Sequence, residues 1–575
     1  MRHTRHKVDL CVVGGGIAGI CAAIAAARNG AKVALMHDRP VLGGNASSEI
    51  RMWICGAHGK DMRETGILEE IELENLHLNP TPTYAMWDAV LYQMVRFEPN
   101  ITLLLNCSCH AAETEHDALT SVTGWQLTTE TTHTVEAALF ADCSGDSILA
   151  HLAGAEYRIG REASSEFDED IMPPEADKKT MGMSCLIQGR EMDTPQPFVR
   201  PEWANYYASE ADLLHRGIGM GTNFWWIELG GEYDSIHDSE MLRDMLLKVS
   251  YGVWDLLKNR SKHSEAFTNY CLDWVGHLPG KRESRRCVGD HIITQNDVRA
   301  EGKFDDLVAY GGWSMDDHHP GGVATTEKPT IFHPAPSPYG IPYRALYSRN
   351  IDNLFFAGRN ISATHAAMSS TRVMATCALM GQAVGTAAAL ATTHRCTPRA
   401  VYETHLSALQ QQLMQDDCYL PWHARAVDDV ARAATLSAQS GDPEPLRNGM
   451  DRPVAECRNA WSGTPGQWIE YRFDAPTRLT TTRLVFDSDL NRELKNMPCI
   501  YKRGQPQRRT PQTLVRSFRI DALSGEGRWR TVVEVEDNHQ RLVTLDLDLE
   551  ASAIRLIPLS TWGAATVNIF AWDVS

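Results

Sequence analysis

No run of this 575-residue sequence reaches the roughly 20 consecutive apolar residues that a membrane-spanning helix needs. The first apolar stretch, Val8 to Val13, is too short for the core of a secretory signal, so the expectation is a cytoplasmic protein without a membrane partner. Basic residues are in deficit: 55 Lys and Arg face 73 Asp and Glu, for a formal net charge of -18. Nucleic-acid binding draws on cations that neutralise phosphates, and the reading expects no such partner. The 14 cysteines lack the dense spacing of a disulfide scaffold, and Cys107/Cys109 has no second CxxC or His pair to complete a zinc site. Reduced thiols and no metal are expected.

A chain of this length exceeds what one hydrophobic core serves, so several domains are expected. The clearest local signal lies at the start. Val8 to Val13 is a buried-strand pattern running into Gly14-Gly15-Gly16-Ile17-Ala18-Gly19, then an Ala-rich helical stretch ended by Gly30, then a second strand from Lys32 to Met36. A GxGxxG inside one βαβ unit is a dinucleotide cradle. Gly14 permits the tight turn, Gly16 lets backbone approach a pyrophosphate, and Gly19 lets helix and strand pack closely. The acid for an adenosine ribose should end the second strand. There the sequence has His37 and Asp38, and either suits a ribose hydroxyl.

Further segments narrow the choice of dinucleotide. Leu42-Gly43-Gly44-Asn45-Ala46-Ser47-Ser48-Glu49 follows the second strand, Ala141-Asp142-Cys143-Ser144-Gly145-Asp146 ends a later one, and Asn353 to Phe356 leads into Ala357-Gly358-Arg359. Pro279 to Arg286, Ile341 to Leu346, and Gly358 through Thr364-His365 to Gly385 complete the set. Together these motifs, over roughly residues 8 to 395, resemble the FAD-dependent oxidoreductases of the glutathione-reductase-like superfamily, in particular the bacterial "FAD-dependent oxidoreductase" family of sugar-utilisation contexts. The resemblance implies FAD as cofactor, held by Gly14, Gly16, Gly19, His37 or Asp38, Gly43, Gly44, Asn45, Ser47, Ser48, Asp142, Gly145, Gly358 and Arg359. Arg359 stands where many relatives carry an Asp for the ribityl chain. Small residues Gly381, Gly385 and Ala389 recur at four-residue spacing along a helix read from Ala367 to Ala391. Its first turn, at Ser369 and Ser370, is expected at the flavin pyrimidine edge. No second GxGxxG sits in a βαβ unit, so no nicotinamide-dinucleotide domain is expected.

The stretch from 160 to 330 is poor in Rossmann signals and rich in aromatics and histidines, as a substrate cap would be. Trp225 and Trp226 are adjacent, so in a strand only one faces a pocket. The Gly- and Pro-bounded segment Ala309 to Gly322 reads as a loop carrying Asp316, Asp317, His318 and His319. A His oriented by a carboxylate suits removal of a hydroxyl proton, which makes His318 or His319 the candidate base with Asp316 or Asp317 as partner. By the resemblance His365 is the rival, and Arg282, Arg285 and Arg286 are candidates for an acidic substrate or the reduced flavin. Cys55 and His58 are weighed as covalent flavin tethers.

Beyond a helical linker with Leu406, Leu409 and Leu413 on one face, short alternating strands bounded by turns indicate a β-sandwich similar to galactose-binding or discoidin-type jelly rolls. Its Trp461, Trp529, Trp562 and Trp572 suit core and ligand platform equally. The fold class expected is α/β: a Rossmann-like FAD-binding domain of glutathione-reductase type with an inserted α+β cap and a C-terminal all-β sandwich. The divisions are 1–160 and 331–395 for FAD binding, 161–330 for the cap, 396–430 for the linker and 431–575 for the sandwich. The activity expected is dehydrogenation of a CH–OH group of a sugar, glycoside or cyclitol-like small molecule, by hydride transfer to flavin N5. The alternatives are a C=C reductase, desaturase or hydroxylase, and a carbohydrate-binding or assembly protein with structural FAD. Self-association is the one protein partnership this reading admits.

Overall fold

In the computed structural model, which describes residues 2–493, 495–525 and 527–575, the first strand begins well before its apolar core. Strand β1 (Arg2–Val13) is exposed in its polar first half and buried from Leu10 to Val13. The polar half persists because β6 (Thr131–Asp142) pairs with it in parallel from Arg2↔Thr131 to Val13↔Asp142. Helix α1 (Ile17–Arg28) follows, buried over all but its last residue, and β2 (Val33–Met36) returns parallel to β1. With β3 (Ile101–Leu104) beyond β2, and the antiparallel strands β4 (Cys107–Glu115) and β5 (Ala118–Gln126), the sheet order is β3-β2-β1-β6-β5-β4. Strand β7 (Leu354–Phe356), some 210 residues after β6, joins the C-terminal half of β6 in parallel.

The described residues fall in two units. One comprises Met1–Ala57, Pro82–Leu409 and Leu494–Gln507, and the other His58–Thr81, Gln410–Glu493 and Arg508–Ser575. Two exchanges lie outside the division expected from sequence: 58–81, with its helix Ile67–Leu78, clusters with the C-terminal strands, and 494–507 clusters with the first unit. In the first unit, residues 161–330 carry the long amphipathic helix Ser239–Asn259 and short strands around a core of Met183, Ile187, Phe224, Trp226, Leu246, Val253 and Trp254. The second unit is antiparallel throughout. Its long strands Ile469–Phe486 and Leu542–Thr561 are broken by register shifts, and the seven strands enclose a core of Trp461, Tyr471, Phe486, Phe518, Ile520 and Trp572. Trp461 and Trp572 are therefore core, while Trp529 and Trp562 are half-buried.

Three local readings need correction. The expected loop at 309–322 holds two strands, Leu307–Gly311 and Met315–His318, because the charged MDDH segment pairs antiparallel with Thr330–His333. Trp225 and Trp226 form a turn, not a strand, although Trp226 is core and Trp225 half-buried as one-sided packing requires. The single helix expected from Ala367 is two, His365–Thr371 and α2 (Met374–His394), parted at Arg372-Val373. By length and composition α2 could span a bilayer, a property hidden from a count of consecutive apolar residues by its Thr, Gln and Gly. It is instead almost wholly buried against α1.

That contact explains the small-residue stripe. A Cβ on Gly381 would lie 2.1 Å from Ala18 O, and one on Gly385 2.1 Å from Ala22 O. Backbone of α1 cannot yield as a flexible side chain would. Gly381→Ala is expected to destabilise the protein by about 1–3 kcal/mol in a denaturant melt, the usual cost of overpacking, and an unshifted midpoint would contradict this packing.

Candidate functional site

The glycine fingerprint divides the labour as its spacing implies. Gly14 has φ of +106°, and a Cβ there would strike the backbone carbonyl of Cys143 at 2.4 Å. Gly19 would put a Cβ 1.8 Å from Gly14 O. Gly16 differs: its φ of -68° suits any residue, and a Cβ would meet nothing within 4 Å. The first helical bond runs from Ile20 N–H to Gly16 O at 2.9 Å, so the amides of Ile17, Ala18 and Gly19 emerge at the helix start, where anions are favoured. Gly43 and Gly44, both with positive φ, close over this turn through a bridge from Gly16 to Gly43 and the bond Gly43 N–H to Gly15 O at 2.8 Å. An open cradle walled by backbone amides fits a pyrophosphate.

A profile of the family described as "FAD dependent oxidoreductase" matches residues 9–413. The chain belongs to that family. This oxidoreductase therefore uses FAD. Solved carbohydrate-binding modules are similar to about a quarter of this chain. The family 32 carbohydrate-binding module of Streptococcus pneumoniae EndoD is 15% identical over 26% of this chain and 99% of its own, with a TM-score of 0.21. The family 32 module of C. perfringens NanJ, solved in complex with galactose, is 12% identical over 25% and 95%, with a TM-score of 0.19. No curated protein matches the sequence.

Several expected contacts of the FAD-dependent oxidoreductase are redirected by its own hydrogen bonds. His37 is buried, and its Nδ1 accepts Gly15 N–H at 3.0 Å, which leaves the ring proton on Nε2 to donate to Val41 O at 3.0 Å. Burial lowers its pKa, so the ring is a neutral structural link and not a ribose ligand. Asp38 beside it is exposed. Asp142 is fully buried and spends its carboxylate on Ser144 N–H, Ser144 Oγ and Ala150 N–H, which fixes the turn but offers a ligand nothing. Ser47 closes its own turn by donating to Gly44 O at 2.7 Å, and Ser48 is anchored by its amide on Asp88. Asn45 donates to Lys281 O at 3.1 Å. Ser369 and Ser370 are likewise spent inside the protein, on Ala366 O and on Trp313 O with Tyr339 Oη. They lie in the last turn of the short helix His365–Thr371 and not at the start of the long one.

Asp146, which the sequence reading passed over, takes a central place. It binds Lys281 Nζ and Arg359 at 2.7 Å each, and although burial opposes ionisation, Arg359 and Lys281 hold its pKa below the ordinary range. Arg359 also packs so close to Gly145 that a Cβ there would collide with the guanidinium. Gly358, at φ +120°, turns the chain after β7 to deliver Arg359. The signal was present in the last Asp of the A-D-x-S-G-D motif and in Lys281 of the PGKRES segment.

Two buried ionic clusters flank this region. In the first, His318 Nδ1 lies 2.6 Å from Glu228 and Nε2 lies 3.1 Å from Asp316. Arg282 pairs with Glu228 at 3.4 Å and Arg372 with Asp316 at 3.3 Å, and the Trp225 ring meets His318 edge-on. Arg282 also donates to Ser184 Oγ and Trp225 O at 2.8 Å each, so its guanidinium is consumed by protein acceptors. In the second, His365 lies 2.9 Å from Glu283 and 3.1 Å from Asp317, and Arg286 bonds both Glu283 and Glu162. Burial alone would depress the His365 pKa, but Glu283 and Asp317 override it and push it up to about 10. An imidazolium held between two carboxylates at neutral pH is no general base. His318, buried with both nitrogens engaged, has no free lone pair directed at a substrate either. His319 is half-buried, with Nδ1 accepting Gly321 N–H at 3.1 Å. Of the candidate bases expected from sequence, His318 and His365 are thus held inside protein ion pairs, and Asp317, with an 18% exposed side chain, is the more exposed carboxylate of the second cluster. Cys55 is half-buried, while His58 falls in the other unit.

Proposed function

We propose that this FAD-dependent oxidoreductase dehydrogenates a CH–OH group of a small polar, sugar-like substrate on a nucleotide-binding domain of glutathione-reductase type. Bound FAD supplies the two-electron acceptor. Arg359 and Lys281, set by Asp146, would hold the pyrophosphate and ribityl segments, and Asp38 the adenosine ribose. The pyrimidine edge would fall to the start of α2, where Thr376 Oγ1 is buried without a hydrogen-bond partner among the described residues. Its helix dipole favours negative charge at that end.

The observation that carries the reading is Asp317. Its Oδ1 is held by His365 Nε2 at 3.1 Å, and its Oδ2 makes no hydrogen bond among the described residues. Burial opposes the charge, but the His365 imidazolium keeps the Asp317 pKa low, so the carboxylate is ionised and able to orient and accept from a substrate hydroxyl at Oδ2. Half-buried Trp225 and Trp313 offer faces for the apolar side of a sugar ring.

Anaerobic mixing with a panel of sugars, polyols and carboxylates tests the chemistry: an alcohol donor should bleach the flavin. Asp317→Asn should slow that bleaching by about 10²–10⁴-fold while FAD remains bound. Inertness toward every CH–OH donor, or an unchanged rate in the variant, would contradict the proposal.

A further inference from the structure

Residues 45–57 run from the cofactor cradle to the first turn of α2, and over Arg51 to His58 they have no helix or strand of their own. Their two ends are tied to cofactor-binding elements. Asn45 follows Gly44, which packs on Gly16, and Asn45 O accepts Met52 N–H at 2.8 Å; Cys55 O accepts Ala375 N–H at 3.0 Å. The middle is fixed by residues more than 400 positions downstream. Ile54 N–H donates to Asn496 Oδ1 at 3.2 Å, with both residues buried.

Asn496 lies in the 494–507 segment, which interrupts the C-terminal strands in sequence yet clusters with the oxidoreductase unit. That segment is firmly seated. Ile500 and Tyr501 pair in parallel with Gly189 and Arg190, Cys499 Sγ donates to Ile187 O at 3.2 Å, and Gln188 Nε2 donates to Pro498 O at 3.2 Å. Gln188 Oε1 in turn accepts from Arg51, whose guanidinium is stacked between Tyr84 at 4.7 Å and Trp274 at 4.4 Å. Arg51 has φ of +66°, a strained value for a side-chain-bearing residue, so this part of the chain needs outside contacts to hold its path. Lys495 completes the contact by placing Nζ 4.6 Å from the centre of the Trp53 ring.

We infer that Asn496 is a positioning residue of the FAD site: it holds Ile54, and with it the Met52–Cys55 path between cradle and α2, in place. The inference rests on FAD lying along the Gly16, Gly44 and α2 elements. Loss of the acceptor strands a buried amide in a segment without other regular structure, and the cost is borne by the bound cofactor's surroundings.

Asn496→Ala, Asn496→Asp and, as a control on the same segment, Arg503→Ala should be compared with the parent for FAD dissociation constant, visible flavin spectrum and thermal stability. Arg503 is exposed, and its guanidinium pairs with Asp193, which is itself exposed. Asn496→Ala is expected to weaken FAD binding by about 5- to 100-fold and to shift the flavin bands. Asn496→Asp, which keeps an oxygen at the Oδ1 position, should restore the spectrum, and Arg503→Ala should match the parent. Parental affinity and spectrum in Asn496→Ala would overturn the inference, as would an equal defect in Asn496→Asp. If the alanine variant does not fold, the aspartate variant decides by its spectrum. A parent that takes up no FAD would instead overturn the cofactor placement itself.

Discussion

Gly16→Val will fold normally and lose FAD. Its φ of -68° is open to any residue and a Cβ there meets nothing within 4 Å, so the apoprotein loses no more than the roughly 1 kcal/mol that a poor helix N-cap costs. The branched side chain instead fills the space a phosphate needs beside the helix amides. Forfeiting one or two charge-assisted backbone bonds, each of about 1.5–3 kcal/mol, weakens binding by about 100-fold or more. Gly14→Val and Gly19→Val should behave oppositely, because their Cβ atoms would lie 2.4 Å and 1.8 Å from backbone that cannot move aside. Both should lower apoprotein stability outright. Thermal melts of the three apoproteins, with FAD titrations of any that fold, separate the cases. Equal destabilisation of all three would mean that Gly16 packs against protein after all.

His365→Asn should lose about 3–5 kcal/mol of stability at neutral pH, because it leaves Glu283 and Asp317 buried without the cation between them. The pH dependence has a definite sign. The folded-state pKa of about 10 lies above the value of 6.5 for a free histidine, so the contribution is fully present below about 6.5 and is lost as pH rises through about 10. The parent should therefore lose stability between those values while His365→Asn loses less. Denaturant melts at about pH 6 and about pH 10 measure the difference. A variant that tracks the parent across that window would show that no imidazolium is held there.

The cradle was legible because its glycines fall at fixed spacing within one strand–turn–helix, although the backbone that Gly14 approaches, at Cys143, is far away in sequence. The α2 stripe was legible through its four-residue helical spacing, although its partner α1 lies more than 350 residues earlier. The C-terminal strands were legible through alternation, though the departure of 494–507 from them was not, since nothing local marks a segment as belonging to a distant sheet. His37 looked like a ribose ligand by position alone, and only the tertiary approach of Gly15 and Val41 shows that both nitrogens are used. The histidine assignments failed similarly. Glu228 and Glu283, which engage His318 and His365, lie 90 and 82 residues away, and no spacing rule joins them. The strand Met315–His318 was hidden because its charged residues face other buried charges, where alternation of apolar and polar residues is not needed.

Titration of the purified apoprotein with FAD, followed by quenching of the flavin fluorescence, tests the account most directly. The account predicts saturable uptake in the parent, abolished in folded Gly16→Val, with all the yellow colour released on denaturation. A folded parent that takes up no FAD, or a Gly16→Val protein that binds it as tightly as the parent, would contradict it.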